Sequence, residues 1–172
     1  MVKASPLGSI YAGTVHPGRY LVLVSGDTAS VEVALEAGSH GATATVFLPD
    51  VDPQVPDAMV GSNTAAVVGE ALAVVETASI PPVIAAADAG VKAAAVALPT
   101  VRMADGLGGK GYALFSGSVA EVEAAHDAAI AACPSELLIG TALIPQLDEA
   151  MAVNLAADLR FLRRVRRRPE ER

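Results

Sequence analysis

The strongest constraint on the fold is a sequence unit that occurs twice in the chain. The run GRYLVLVSGDTASVEVALEAG (18–38) aligns without a gap with GKGYALFSGSVAEVEAAHDAA (109–129). TVFLPDVD (45–52) aligns with TALIPQLD (141–148). The opening MVKAS aligns with GVKAA (90–94) once a small difference in loop length is allowed. Because the three blocks keep their order, we infer an internal duplication in which each copy folds as one structural unit.

The second copy predicts four strands and two helices, in the order strand, helix, strand, strand, helix, strand. The short apolar runs indicate strands, and the longer Ala-rich runs that follow capping residues indicate helices. The strands are predicted at 71–76, 96–103, 112–117 and 136–144, and the helices at 79–94 and 118–132. This order is the split βαβ plan of ferredoxin-like domains, so we expect an α+β fold, an α/β sandwich.

Individual residues support these boundaries. Ser79 is expected to cap the first helix, with prolines (81–82) in the first turn, where no hydrogen-bond donor is lost. Ser118 and Glu121 form the pattern of a capping box for the second helix. Pro99, inside a predicted strand, indicates an edge strand or a β-bulge.

The first copy contains only the latter part of this plan. Met1 aligns with Gly90, so the first copy lacks the equivalent of roughly residues 71–89, the initial strand and most of the first helix. A start assigned to an internal methionine, a cut at that point, or another segment that fills the gap would each explain this. We expect a partial domain over 1–60, a complete domain over 70–150, and a C-terminal helix and basic tail over 151–172.

The missing elements have a physical consequence for the first copy. Apolar side chains such as Leu21, Leu23 and Val33 are expected to be exposed, and unpaired strand edges invite association. We therefore expect the chain to be less soluble than one extended upstream.

Composition narrows the class of protein. Of the 172 residues, 52% are apolar and 3% aromatic, so the elements should pack closely through small side chains. No apolar run approaches the roughly 20 residues that cross a bilayer, and the start lacks the pattern of a signal peptide, so a cytoplasmic protein is expected. Because Cys133 is the only cysteine, one chain holds no disulfide and no all-cysteine metal or iron–sulfur site.

The charges are distributed unevenly. Residues 158–172 carry seven of the twelve basic residues against three acidic ones, which leaves five basic and sixteen acidic residues in the body. The tail places Leu155, Leu159, Leu162 and Val165 near helical spacing, opposite arginines. We expect it to dock on the acidic body or to stay solvated, with contact to another protein as the alternative. Neither nucleic-acid nor membrane binding is expected.

The glycine-rich run DGLGGKG (105–111) invites comparison with a phosphate-binding loop. That loop requires G-x-x-x-x-G-K-[ST] and a following helix. Ala104 stands in place of the first glycine and Gly111 in place of the Ser or Thr, and a strand is predicted next. The pattern fails, and a flexible turn is the plain alternative.

The remaining reactive side chains do not assemble an active site. His40 and His126 have no acidic or Cys partner at ligand spacing, so no metal site is expected. Ser25 and Ser116 each precede a glycine but lack the G-x-S-x-G pattern. Cys133 is expected to be a small buried or half-buried thiol.

The second copy resembles the bacterial microcompartment (BMC) shell domain. The family run A-L-G-x-[IV]-E-T-x-G-x-x-x-x-I-x-A-A-D-A-x-x-K-A-A is similar to ALAVVETASIPPVIAAADAGVKAA (71–94). The family helix start G-x-V-x-x-V-x-x-A is similar to GSVAEVEAA (117–125) and, in the first copy, to GDTASVEVA (26–34). The family often has I-P-R-P after the last strand, whereas this chain has LPDV and IPQL, without the arginine.

Two such domains in one chain resemble the tandem shell proteins, which form trimers shaped like hexamers. The resemblance makes the glycine-rich loop and its first-copy counterpart pore loops, with His16 and Asp105 able to bring charge to the opening. It makes Lys3 and Lys92 tile-edge residues that lie antiparallel to those of neighbouring tiles. A solvated histidine and ordinary solvated lysines are the alternatives. The predicted pore-loop residues are Thr14, Val15, His16, Asp105, Gly106, Leu107, Gly108 and Gly109.

The resemblance therefore predicts a structural shell protein and not an enzyme. The partners it implies are two further copies in a homotrimer and other shell proteins. Enclosed enzymes are the partners if the basic tail contacts another protein instead of its own body. Some tandem members hold an iron–sulfur cluster on a pore-loop cysteine; neither loop here contains one, so no cofactor is expected. The alternative is a small ferredoxin-like regulatory protein that binds a nucleotide or metabolite between subunits, which leaves the duplication unexplained.

Overall fold

The structure, a computed structural model, describes residues 1–60, 67, 69–104 and 106–155. The first copy forms a hairpin of β1 (Ser9–Val15) and β2 (Arg19–Ser25), then α1 (Thr28–Gly38) and α2 (Gln54–Val60). The second copy forms β3 (Ala71–Thr77), α3 (Ile80–Ala93), β4 (Ala97–Met103), β5 (Gly111–Gly117), α4 (Val119–Ala131), a 3₁₀ turn (Ser135–Leu137), β6 (Leu138–Ile144) and α5 (Glu149–Leu155).

The sheet of the second copy confirms the ferredoxin-like plan. Its four strands lie in the order β4-β5-β3-β6, and every neighbouring pair is antiparallel. All four strands and both helices of this copy were predicted from the sequence. Pro99 lies on the edge strand β4, and the register shifts between Ala97 and Thr100, so both of its predicted consequences are observed.

Small side chains bring the helices onto one face of this sheet. Ala73 and Val75 of β3 are fully buried in the same cluster as residues of α3 and α4. At the crossing of the helices, a Cβ built on Gly90 would lie 2.4 Å from Phe115 Cε1 and 3.1 Å from the Ala125 carbonyl oxygen. The absence of a side chain at Gly90 therefore sets how closely α3 approaches the sheet and α4.

The hairpin of the first copy repeats that of the second. β1 and β2 pair Tyr11 with Leu23, and β4 and β5 pair Thr100 with Leu114, which are the aligned residues of the repeat. Among the described residues, the first copy has equivalents of β4, β5 and α4 and none of β3 or α3. The run 43–48 is the equivalent of β6, which pairs with β3. Because the first copy has no equivalent of β3, this run has no strand to pair with and forms none.

The helices α2 and α5 extend the repeat beyond the blocks aligned in sequence. The carboxylate of Asp52 accepts the Gln54 N–H at 2.9 Å, and that of Asp148 accepts the Ala150 N–H at 2.9 Å. Asp52 and Asp148 are aligned residues, so each copy ends with the same Asp-capped helix. The predicted C-terminal helix thus begins at Glu149; the tail residues 156–172 lie outside the described part of the chain.

The local predictions at helix starts were partly wrong. Ser79 and Ser118 occupy the N-cap positions, but neither side chain makes a capping hydrogen bond. Glu121 does not complete a capping box, because its carboxylate accepts the Ala95 N–H at 2.7 Å from the end of α3. The Glu121 carboxylate thus bonds to the distant Ala95 N–H in place of the Ser118 N–H that a capping box would use.

The predicted exposure of the first copy also needs correction. Val33 is 45% exposed as expected, but Leu21 and Leu23 are half-buried, and Leu21 packs against the main core. The opposite face of the hairpin is the open one, with Tyr20 68% exposed. Alternation along β2 places Leu21 on the face that packs against the core and Tyr20 on the opposite face.

Candidate functional site

The loop between β4 and β5, here called the second-copy loop (104–110), is built on left-handed backbone. Ala104 is fully buried with φ of 49°, and its N–H donates to the Lys110 carbonyl at 2.8 Å. Three glycines carry the remaining positive φ values: 77° at Gly106, 64° at Gly108 and 90° at Gly109. Gly106 and Gly108 are exposed. Glycine adopts such values without strain, which explains the run of glycines. Asp105 lies outside the described residues.

The first-copy loop (14–18) is the turn of the hairpin formed by β1 and β2. It comprises the last two residues of β1 and the three residues that connect the strands, so it is shorter than the second-copy loop. Gly18 has φ of 85°, and its N–H donates to the Val15 carbonyl at 3.0 Å. Thr14 and His16 are exposed, whereas Val15 is half-buried and packs against the core. The loop is therefore anchored by Val15 and presents Thr14 and His16 to its surroundings.

The two loops lie against each other. A Cβ built on Gly109 would stand 2.7 Å from Pro17 Cδ and 3.2 Å from the His16 carbonyl oxygen. This contact brings together two predicted pore loops that are about ninety residues apart in sequence. A shallow depression lies beside them, lined by Val15, Arg19, Tyr20, Leu21, Thr43, Ala44, Ser79, Ile80, Pro81 and Gly109.

Charged side chains surround the base of the second-copy loop. Lys110 Nζ lies 3.0 Å from Glu76 Oε1, and both side chains are partly exposed. Such a pair adds little to stability but cancels the charge of Lys110 near the loop. Arg102 faces Tyr112 across the strands. Burial raises the pKa of Tyr112, while the positive charge of Arg102 acts against that rise.

The predicted tile-edge lysines have different surroundings. Lys3 is exposed in an N-terminal turn in which the Ala4 N–H donates to the Met1 carbonyl at 2.8 Å. The Lys92 side chain is 41% exposed, lies 2.7 Å from Asp88 Oδ2, and donates to the Asp50 carbonyl. Lys92 thus contacts the first copy of its own chain. Its role at a tile edge stays a prediction.

Lys92 belongs to a contact that joins the two copies, here called the copy junction: residues 50–60 of the first copy packed on α3 and β4. Val55 and Ala58 of α2 are 1% and 2% exposed. The Gln54 side chain accepts the Leu98 N–H at 3.1 Å and donates to the Val96 carbonyl at 3.4 Å, which fixes α2 on β4.

A buried carboxylate completes the copy junction. Asp88, 5% exposed, accepts the Asp52 N–H at 2.8 Å through Oδ1 and pairs with Lys92 through Oδ2. Sequence reasoning matched Asp88 to the family run but missed this role. No local signal pointed to it, because Asp88 bonds to the backbone N–H of residue 52, a group that every residue type except proline supplies.

The histidine, cysteine and acidic side chains of the described residues do not cluster into a site. Within the described ranges, no group of three or more His, Cys, Asp or Glu side chains could hold a metal ion. His126 Nδ1 lies 3.8 Å from Asp127 Oδ1. Cys133 is a buried free thiol, as expected. Burial raises its pKa, and the negative charge of Glu136 raises it further.

One complete ferredoxin-like unit and one partial copy of it, each with a glycine-bearing loop, define a tandem-domain protein whose loops meet. The family model described as "BMC domain" matches residues 1–49 and 71–147. The chain therefore belongs to the BMC domain family. None of the helices in the part of the chain that the structure describes has the length and apolar character needed to cross a membrane.

Individual relatives agree with this assignment. The chain is 33% identical over 156 residues to the bacterial microcompartment shell protein PduT of Citrobacter freundii, covering 88% of this chain and 84% of that protein. A crystal structure of a microcompartment protein from Desulfitobacterium hafniense DCB gives a TM-score of 0.73 at 34% identity, covering 87% of this chain and 86% of that one.

A second solved structure is a fused, permuted hexameric shell protein from the RMM microcompartment. It gives a TM-score of 0.51 at 27% identity and covers 77% of this chain and 70% of that one. The comparisons confirm the predicted family, the tandem BMC fold, the structural shell role and the location in a microcompartment shell. They give no support to the regulatory alternative.

Proposed function

We propose that three copies of this chain form a pseudohexameric trimer of six BMC units that tiles into shell facets around a central pore. The observation that carries this proposal is the contact of Gly109 with Pro17 and His16. Loops from different units must lie side by side if all of them surround one axis. The similarity to shell proteins over both copies supports the same arrangement.

The pore would select metabolites by its width and by what lines it. The second-copy loop offers exposed glycines at 106 and 108, where backbone N–H groups can meet anions without a side chain between them. The first-copy loop offers Thr14 and His16. The ion pair of Lys110 with Glu76 leaves the base of the second-copy loop without net charge from these two residues. Small polar metabolites are the substrate class that this lining suits.

Assembly with other shell proteins would use the edges of the trimer. Lys3 and the exposed part of Lys92 are our candidates for contacts between tiles. The basic tail, outside the described residues, is our candidate for contact with enclosed enzymes. We propose no catalytic role for the chain, which the similarity to structural shell proteins supports.

Electron microscopy of concentrated protein tests this function. Sheets or tubes with a hexagonal repeat are expected, because flat pseudohexagonal tiles pack edge to edge. Discrete particles whose melting temperature shifts with nucleotides or metabolites would instead favour the regulatory protein. A Lys3→Glu variant should reduce sheet formation if this lysine lies at the tile edge, and Glu123→Lys, on the exposed side of α4, serves as a charge-change control.

A further inference from the structure

The two Asp-capped helices of the repeat have different surroundings. In the alignment of the copies, Val55, Asp57 and Ala58 of α2 correspond to Met151, Val153 and Asn154 of α5. α2 lies in the copy junction, where Val55 and Ala58 are buried. α5 has no buried residue, and Met151 is 48% exposed. α2 thus joins the two copies inside the chain, whereas its equivalent α5 leaves Met151 and Val153 exposed in the described part of the molecule.

The part of the receiving surface that β4 and the end of α3 supply has an open counterpart in the first copy, whereas the rest of α3, including Asp88, has none there. In the second copy, Val96, Leu98 and Lys92 receive α2 and the residues before it. Their aligned residues in the first copy are Leu7, Ser9 and Lys3. Lys3 is exposed, Leu7 and Ser9 are half-buried, and the neighbouring Ile10 is 42% exposed. Each chain therefore carries an uncovered helix at one end and an uncovered receiving surface at the other.

We propose that α5 of one chain docks on the first copy of a second copy of this chain, in the way that α2 docks on β4. Met151 takes the place of Val55, on the surface of the neighbouring chain that contains Leu7 and Ser9. The contact is head-to-tail, so it propagates in one direction, and it closes the proposed trimer if each contact rotates the next chain by a third of a turn. This inference rests on the proposed trimer and names the residues that hold it.

The proposed contact between chains has fewer interactions than the copy junction inside each chain. Ala150 stands at the position aligned with Gln54, so the pair of side-chain hydrogen bonds to the receiving strand is absent there. The chain should therefore form trimers that dissociate on dilution while the copy junction inside each chain stays closed.

A charge placed on α5 tests the contact. Met151→Asp puts a carboxylate where Val55 is buried, whereas Val153→Asp places the residue that α2 itself has at 57, which is exposed. The two variants sit on the same short helix, and both replace an exposed apolar side chain. We expect Met151→Asp to raise the concentration at which trimers dissociate at least about tenfold, equivalent to about 1.4 kcal/mol. Val153→Asp should leave it within about twofold.

Light scattering over a dilution series provides the readout, with circular dichroism as the folding control. A trimeric wild type in which both variants dissociate alike would overturn this inference and leave the proposed function standing. A wild type that stays monomeric at every concentration would overturn both.

Cross-linking gives a second test that does not depend on a destabilising charge. In a Cys133→Ala background, the double variant Ser9→Cys with Ala150→Cys should yield covalent oligomers with a short bismaleimide. The reason is that the residues aligned with 9 and 150, Leu98 and Gln54, are hydrogen-bonded to each other in the copy junction. Ser9→Cys with Val153→Cys is the control and should yield far fewer. Equal yields from the two pairs would contradict the docking geometry.

Discussion

The Asp88 carboxylate and the Asp52 backbone N–H, from different copies of the repeat, form a 2.8 Å hydrogen bond. The second oxygen of Asp88 lies 2.7 Å from Lys92 Nζ, four residues further along α3. One buried carboxylate thereby connects the end of the first copy to the first helix of the second. The buried side chains of α2 lie in the same copy junction, so this junction is stabilised by both hydrogen bonds and apolar packing.

Removing this carboxylate should destabilise the chain. Asp88→Ala leaves the Asp52 N–H without its acceptor and Lys92 without its ion-pair partner, at a cost of about 1–3 kcal/mol in the free energy of unfolding. Urea denaturation measures it. Asp57→Ala, on the exposed side of α2, should change the free energy by no more than about 0.5 kcal/mol. Equal effects from the two variants would refute the role of Asp88.

Substitution at Gly109 should separate the two loops. Alanine there must adopt φ of 90° and place its Cβ 2.7 Å from Pro17 Cδ, so we expect Gly109→Ala to cost about 1–3 kcal/mol. Thermal unfolding provides the measurement. Gly13→Ala is the control, because a Cβ at Gly13 meets no atom within 4 Å. If Gly109→Ala melts no lower than Gly13→Ala, the loop contact is not as described.

Gly90 is a position where the usual effect of alanine in a helix should reverse. Gly→Ala inside a helix ordinarily stabilises by about 0.5–1 kcal/mol. Here the new methyl group would lie 2.4 Å from Phe115 Cε1, so we expect a net loss of about 1–3 kcal/mol. In a double-mutant cycle, Phe115→Leu should relieve part of that loss. Additive effects of the two substitutions would show that they do not meet.

The thiol of Cys133 should react slowly with disulfide reagents at neutral pH. Its pKa is raised by burial and by Glu136, so less thiolate is present at any given pH than in a free cysteine. The folded state favours the neutral thiol. This contribution to stability is therefore complete below the ordinary pKa and is lost as the pH rises above it. Ellman's reagent measures the rate between pH 7 and 10, and Glu136→Gln should increase it. A rate equal to that of free cysteine would contradict this account.

The second copy was predictable because its signals are local. Short apolar runs bounded by Pro, Gly and Ser fixed its strands and helices, and Pro99 marked an edge strand with a bulge. The first copy was predictable only through its alignment with the second. Alone, β1 and β2 would indicate a hairpin with no defined place in a larger sheet.

The functional contacts were harder to predict because they join distant residues. Glu121 has the spacing of a capping box, yet its carboxylate bonds to Ala95, which no local rule foresees. The loops were predicted as pore loops, but their contact through Gly109 and Pro17 depends on how the copies pack. The copy junction was missed because α2 follows Asp52 in a run with two prolines, where a helix is not the obvious expectation.

Cryo-electron microscopy of the purified particle tests the central claim most directly. The account predicts a threefold particle with six similar lobes, in which the loops between β1 and β2 and between β4 and β5 alternate around an axial opening. A particle without threefold symmetry, or one in which these loops lie on the outer rim, would contradict it.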